Sequence, residues 1–123
     1  MVYFVDYLVA CLGELYLVRL HRRSTAVKVQ TVSVTKRGSN NSEWVYVHDI
    51  DGCVIFLDLN EGFCVSRSAS ELSLVGDCIY YVNRGETCFS CYDMKTDCNK
   101  ANLPCHHIRE GSWSRSMWVL PPL

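Results

Sequence analysis

A chain of 123 residues is long enough for one domain with a modest core and too short for two ordinary ones. A hydrophobic share of 49% with 20% charged residues excludes a disordered segment, and a formal charge of -1 gives no general attraction for nucleic acid. A membrane span is excluded as well: the uncharged run over residues 7–13 falls far short of the roughly 20 residues a span requires, and no basic stretch precedes it as in a signal peptide.

Strand-like sequence opens the chain at Val2-Tyr3-Phe4-Val5, as in a domain entered midway. Short β-branched and aromatic runs then follow one another at residues 3–10, 14–20, 26–34, 43–48, 53–59, 63–66, 78–82 and 87–92, with a last one at 117–120. They are separated by Gly, Asn, Asp and Ser, and each connection suits antiparallel neighbours. Asp51-Gly52 gives the clearest turn, because Asp-Gly supplies the positive φ angles of a tight hairpin. Trp44-Val45-Tyr46-Val47 has large apolar groups on both faces, as in a strand buried on both sides. The apolar phase slips by one residue between Val29 and Val32; a β-bulge would keep all four valines of that run inward, and two half-buried faces are the other reading. Helical character is confined to residues 68–74, where Ser68-Ala69-Ser70-Glu71 fits a capping signature for one short turn. The expected class is all-β.

Tyr7-Leu8-Val9 followed by Gly13-Glu14 is echoed by Ile79-Tyr80-Tyr81 followed by Gly85-Glu86. Hairpins repeating in this way suggest a propeller, whose blades take about 40–45 residues each. On that count the chain is a single partial propeller domain over residues 1–123, with about two to three four-stranded antiparallel blades. Residues 99–123 read as an irregular tail ending in the strand at 117–120. A propeller needs at least four blades to close, so the chain reads as a piece.

The order of these motifs resembles one plant family. Tyr7-Leu8-Val9, Gly13-Glu14-Leu15-Tyr16-Leu17-Val18-Arg19, Trp44-Val45, Cys53-Val54-Ile55-Phe56-Leu57, Phe63-Cys64-Val65-Ser66, Cys78-Ile79-Tyr80-Tyr81 and Tyr92-Asp93 succeed one another as in the DUF295 or KIB1-4 β-propeller domain of F-box-associated proteins. Met117-Trp118-Val119-Leu120-Pro121 is similar to the close of such proteins. The resemblance implies the substrate-recruiting propeller of a Skp1–cullin–F-box ubiquitin ligase, acting in cytoplasm or nucleus. The family's F-box is helical and N-terminal, and nothing helical precedes Tyr7, so Skp1 binding is not expected of this chain. No catalytic residues follow from the resemblance.

Eight cysteines invite two further readings. A disulfide framework would need an oxidising compartment, for which no targeting signal speaks. Cys11, Cys53, Cys64 and Cys78 each lie in or beside apolar runs and are expected as reduced, mostly buried thiols. Cys88, Cys91, Cys98 and Cys105, with His106 and His107 alongside, raise the question of a structural zinc site. Cys88 and Cys91 fall on the strand expected at residues 87–92, where residues three apart point to opposite faces, and a zinc knuckle needs both thiolates on one turn. Their spacing matches no common zinc pattern. His21, Arg22, Arg23, Lys36 and Arg37 fall at hairpin ends and read as solvated charge. No Gly-x-Ser-x-Gly elbow and no Gly-rich phosphate loop is present.

The leading expectation is therefore a non-enzymatic protein-interaction module without cofactor, with Trp113 and Trp118 either as aromatic anchors for a partner or as packing for the last strand. The rivals are a small zinc module on Cys88, Cys91, Cys98 and Cys105, and a gene fragment with no activity of its own. Apolar residues at Tyr3, Phe4, Val5, Tyr7 and Leu8, and again at Met117–Leu120, lead to an expectation of self-association through uncovered strands.

Overall fold

The computed structural model describes residues 2–23, 31–38, 43–83, 85 and 88–103. Alternation of apolar and polar positions along the first strands makes a sheet with two unlike faces. β1 (Val2–Cys11), β2 (Glu14–Arg23), β3 (Thr31–Arg37) and β4 (Trp44–Tyr46) form an antiparallel meander, here called sheet A. The β1–β2 hairpin closes on Leu12 and Gly13, both with positive φ, and pairs Cys11 with Glu14. Val9, Cys11, Tyr16, Val18, Leu20, Val32 and Val34 point inward and are buried. Their neighbours Phe4, Leu8, Leu17 and Arg19 occupy the outer face, as the pairs Phe4–His21, Asp6–Arg19 and Leu8–Leu17 require.

The next runs are continuously apolar, which is what a strand covered on both faces needs. β5 (Cys53–Asp58) and β7 (Cys78–Val82) are buried at every residue. With β6 (Phe63–Ser68), β8 (Phe89–Asp93) and β9 (Cys98–Leu103) they form sheet B in the order β6-β5-β7-β8-β9. One face of sheet B meets sheet A through Cys53, Ile55, Leu57, Ile79 and Tyr81 in a shared core with Ile50 and Met94. The other face buries Val54, Phe56, Tyr80, Phe89 and Cys91, with Leu72 and Leu74 packed against them. Each such side chain contributes about 1.5–3 kcal/mol by leaving water. The edge strands β1 and β6 meet at a seam, where the Ser66 hydroxyl donates to the Ala10 carbonyl at 2.6 Å.

The all-β class holds, and five details differ from expectation. First, β5 and β7 run parallel, the one parallel pair among the described strands. After β6 the chain crosses beneath β5 and rises on its far side. A 3-10 turn at Ala69–Leu72 starts the crossing where a helical turn was expected, but the Ser68 hydroxyl meets Ser70 at 3.0 Å and caps nothing. Second, Asp51 and Gly52 have the positive φ angles foreseen, yet their turn joins the two sheets and is not a hairpin. Third, Trp44, Val45 and Tyr46 are exposed, because β4 is an edge strand and has solvent where a neighbour would lie.

Fourth, Cys98–Leu103 is a strand within the stretch read as irregular, zipped onto β8 by main-chain pairing that needs no β-branched side chains. Fifth, Cys11 and Cys53, expected as reduced thiols, are joined by a disulfide. Their two turns bring the end of β1 and the start of β5 together, and both side chains point into the shared core. Cys64 and Cys78 are free, and burial pushes the Cys64 thiol up to about 11. Val27 and Val29, and with them the proposed bulge, lie outside the described residues.

The crossing depends on Gly76, which passes directly over Gly52. A Cβ at Gly76 would sit 2.9 Å from both the Cα and the carbonyl oxygen of Gly52, and main chain cannot rotate away. Gly76→Ala is expected to cost about 2–3 kcal/mol through the forced shift of backbone, a fall of roughly 10 °C in thermal midpoint. An unchanged midpoint would show that the two segments are free to separate.

Candidate interaction site

After Tyr46 the chain abandons the edge of sheet A. The Val47 amide makes one last bond to the Val34 carbonyl at 3.2 Å, and residues 47–49 then cross to sheet B. On the far side the β8–β9 turn rises to face them. The result is an open cleft of about 670 Å³ between the sheets, lined by Val32 and Val34 of β3, by Tyr46 at the end of β4, by His48 and Asp49 of the crossing segment, and by Tyr92 of β8 with Met94, Lys95 and Asp97 of the β8–β9 turn.

Each wall is fixed by its own hydrogen bonds. Asp49 accepts from the Asp51 amide at 3.2 Å, which shapes the crossing turn. The Tyr92 hydroxyl donates to Asp97 at 2.7 Å across the β8–β9 turn. Burial, reinforced by the Asp97 carboxylate, pushes the Tyr92 phenol up to about 12, so it stays a donor at all ordinary pH. Beneath the floor stands Asp77. Its carboxylate accepts from the amides of Ile50 at 2.8 Å and Gly52 at 3.1 Å, its backbone amide reaches the Cys53 carbonyl at 2.8 Å, and its own carbonyl receives the Met94 amide at 3.0 Å. Lys95 approaches the second carboxylate oxygen at 3.4 Å. Burial raises the Asp77 pKa, but the two amides and the Lys95 ammonium outweigh it and leave the group below its ordinary value of 3.8. One side chain thus binds the crossing turn, the start of β7 and the β8–β9 turn together. In sequence Gly76-Asp77 reads only as a break between strands, so its role is invisible there.

The cleft joins aromatic and aliphatic walls to polar groups at the rim, an arrangement suited to a peptide segment. Among the described residues it holds no nucleophile paired with a base.

The residues singled out from sequence lie elsewhere. Trp113, Trp118, Cys105, His106 and His107 are outside the described residues. Cys88 sits half-buried just ahead of β8, which begins at Phe89; Thr87 lies outside the described residues. Cys91 is buried within β8 and hydrogen-bonds Cys78, which lowers Cys78 below an ordinary thiol and raises Cys91. Cys98 opens β9 and is exposed. Among the described residues no three His, Cys, Asp or Glu side chains converge as metal ligands would.

A protein-family model described as KIB1-4 beta-propeller matches residues 1–107. No curated protein and no solved structure matches the chain.

Proposed function

Because the chain belongs to the KIB1-4 β-propeller family, we propose that it is a non-enzymatic recognition module that holds a segment of another protein in the cleft between its two sheets. The family match supports a protein-interaction propeller, and the two successive sheets are compatible with part of one: β1 and β6, each an edge strand of its sheet, adjoin through the Ser66–Ala10 hydrogen bond. The single observation that carries the reading is the cleft itself, rigid at its base through Asp77 and open at its rim. In finer terms the module recruits substrates for a ubiquitin ligase of the F-box type, with the adaptor-binding part supplied from outside the residues described.

Affinity capture from cell extract tests this with His48→Glu and Asp97→Asn beside the unaltered chain. Both residues are exposed at the rim, and neither belongs to the Asp77 bracket. A protein retained by the unaltered chain and lost from both variants identifies the cleft as the binding site; equal retention by all three removes it. The ligase reading has its own readout. Overexpressed alone, the chain occupies the recognition segment of that protein and lengthens its half-life. An unchanged half-life with intact binding discards the ligase role and keeps the module.

A further inference from the structure

The cleft between the sheets has an unfinished strand edge in its wall. The Val47 amide bonds the Val34 carbonyl, so the main-chain groups of Val34 face the side on which β4 lies. These groups alternate sides along a strand. Those of Ser33 therefore turn to β2, where Ser33 pairs with Arg19, and those of Val32 turn back toward the β4 side. The register of Lys36 with Val45 and of Thr35 with Tyr46 would set Asp49 against Val32 had the ladder gone on. It stops because the next residues are committed elsewhere: the Ile50 amide donates to Asp77, and the Asp51 amide to Asp49. Among the described residues no backbone hydrogen bond reaches Val32 from that side, and Val32, Ser33 and Val34 line the cleft there.

We propose that the occupant of the cleft is an extended segment of a partner protein, which pairs antiparallel with β3 at Val32 and continues sheet A where β4 breaks off. The proposal rests on the cleft being the binding site and states how it binds. An open strand edge is satisfied by another strand; such addition takes its affinity from main-chain hydrogen bonds and its selectivity from alternate side chains. The residue paired with Val32 keeps the direction of β4 and sets its side chain on the inward face. That face is apolar: Val32 and Val34 belong to the core shared with Met94, and Tyr92 packs against it. A valine or isoleucine suits the place, whereas proline there would remove the donor. Space suffices as well. At the rise and spacings of a sheet one residue fills about 160 Å³, so a cleft of about 670 Å³ takes about four. At the rim Asp49 and Asp97 are exposed carboxylates while Lys95 is drawn to Asp77, so lysine or arginine fits on the flanks of the segment.

Hydrogen exchange on the isotope-labelled full chain, read amide by amide by NMR, decides it. In the free chain the Val32 amide should exchange quickly and the Ser33 amide, held by β2, slowly. The probe is the capped heptapeptide Lys-Thr-Val-Thr-Val-Thr-Lys at about 5 mM, above the roughly millimolar Kd of main-chain pairing with small anchors. The Val32 amide should then slow about fivefold, since exchange runs through the remaining free fraction. A peptide N-methylated at both valines cannot donate to β3 and should leave Val32 unchanged. One N-methylated at the threonines, whose amides point away, should act as the unmodified peptide does. Three results overturn the proposal: a Val32 amide unmoved by the unmodified peptide, equal slowing by the valine-methylated one, or a Val32 amide as slow as that of Ser33 in the free chain, which would put this chain's own residues or a second copy on the edge. Capture with His48→Glu and Asp97→Asn reads the cleft separately. Retention lost from both variants while Val32 stays unmoved keeps the cleft and discards the strand.

Discussion

Asp77→Ala is expected to lower the unfolding free energy by about 3–5 kcal/mol, a large part of the 5–15 kcal/mol of an ordinary domain. The substitution strands the Ile50 amide in a buried place and leaves the Gly52 amide without its acceptor, at about 1–3 kcal/mol each. Asp77 also has φ +60°, where an alanine is strained. Two companions separate these causes. Asp77→Asn keeps an acceptor oxygen for both amides and gives up only the Lys95 ion pair, so about 1 kcal/mol is expected; that lysine is 66% exposed and its pair is weak. Asp77→Gly relieves the backbone but still loses the acceptor, and should fall close to the alanine variant. Urea midpoints give the ranking, and an alanine variant within 1 kcal/mol of the unaltered chain would show that the bracket is dispensable.

The same carboxylate sets an acid limit. Its folded pKa lies below the ordinary 3.8, so its contribution is complete above that value and drains away as pH falls through the depressed one. Asp77→Asn should abolish that part of the acid loss.

Reducing the Cys11–Cys53 disulfide is expected to cost about 4 kcal/mol, the chain-entropy value for residues 42 apart. No other disulfide occurs among the described residues, so the loss falls on the docking of the two sheets. Cys53 is fully buried and Cys11 nearly so, which means that a reductant reaches the bond only when the sheets open. Reduction should therefore be slow in buffer and fast in denaturant short of the midpoint. A Cys11→Ala, Cys53→Ala double variant should match the reduced protein within about 1 kcal/mol, since the methyl groups leave no buried polar atom. Equal urea midpoints for the oxidised and fully reduced chains would remove the disulfide from the account of stability.

Most of the strand positions were legible because each carries its environment in its pattern. β1 and β2 alternate because one face is buried and the other is not, and β5 and β7 are apolar throughout because both faces are covered. Neighbour relations were less legible. Asp51-Gly52 dictates positive φ angles but does not say which strands the turn connects, and the parallel pairing of β5 with β7 follows from a crossing whose tightest point is the contact of two glycines. Trp44-Val45-Tyr46 misleads for a related reason. Composition records apolarity, while exposure depends on standing at the rim of a sheet. The disulfide was hidden because Cys11 and Cys53 each look like small core residues in their own runs, and only the joining of two turns puts them together. The cleft is built from residues of both sheets with no common motif, so no linear signal marks it.

The meander of sheet A gives the molecule an order of assembly. Its pairings are made between strands adjacent in sequence, so each closes over a short stretch of chain and can form while later residues are still being synthesised. The contacts that hold sheet B against it span much longer stretches: 35 residues from Tyr16 to Asp51, 42 from Cys11 to Cys53 and 56 from Ala10 to Ser66. Until sheet B follows, the inward residues of sheet A stand in water, and Cys11 is an accessible thiol. Pulse-labelling of amides during refolding should find β1–β3 protected before β5 and β7. In that interval the half-built chain is at its most adhesive, and the bond from Cys11 to Cys53 becomes the last stitch of folding.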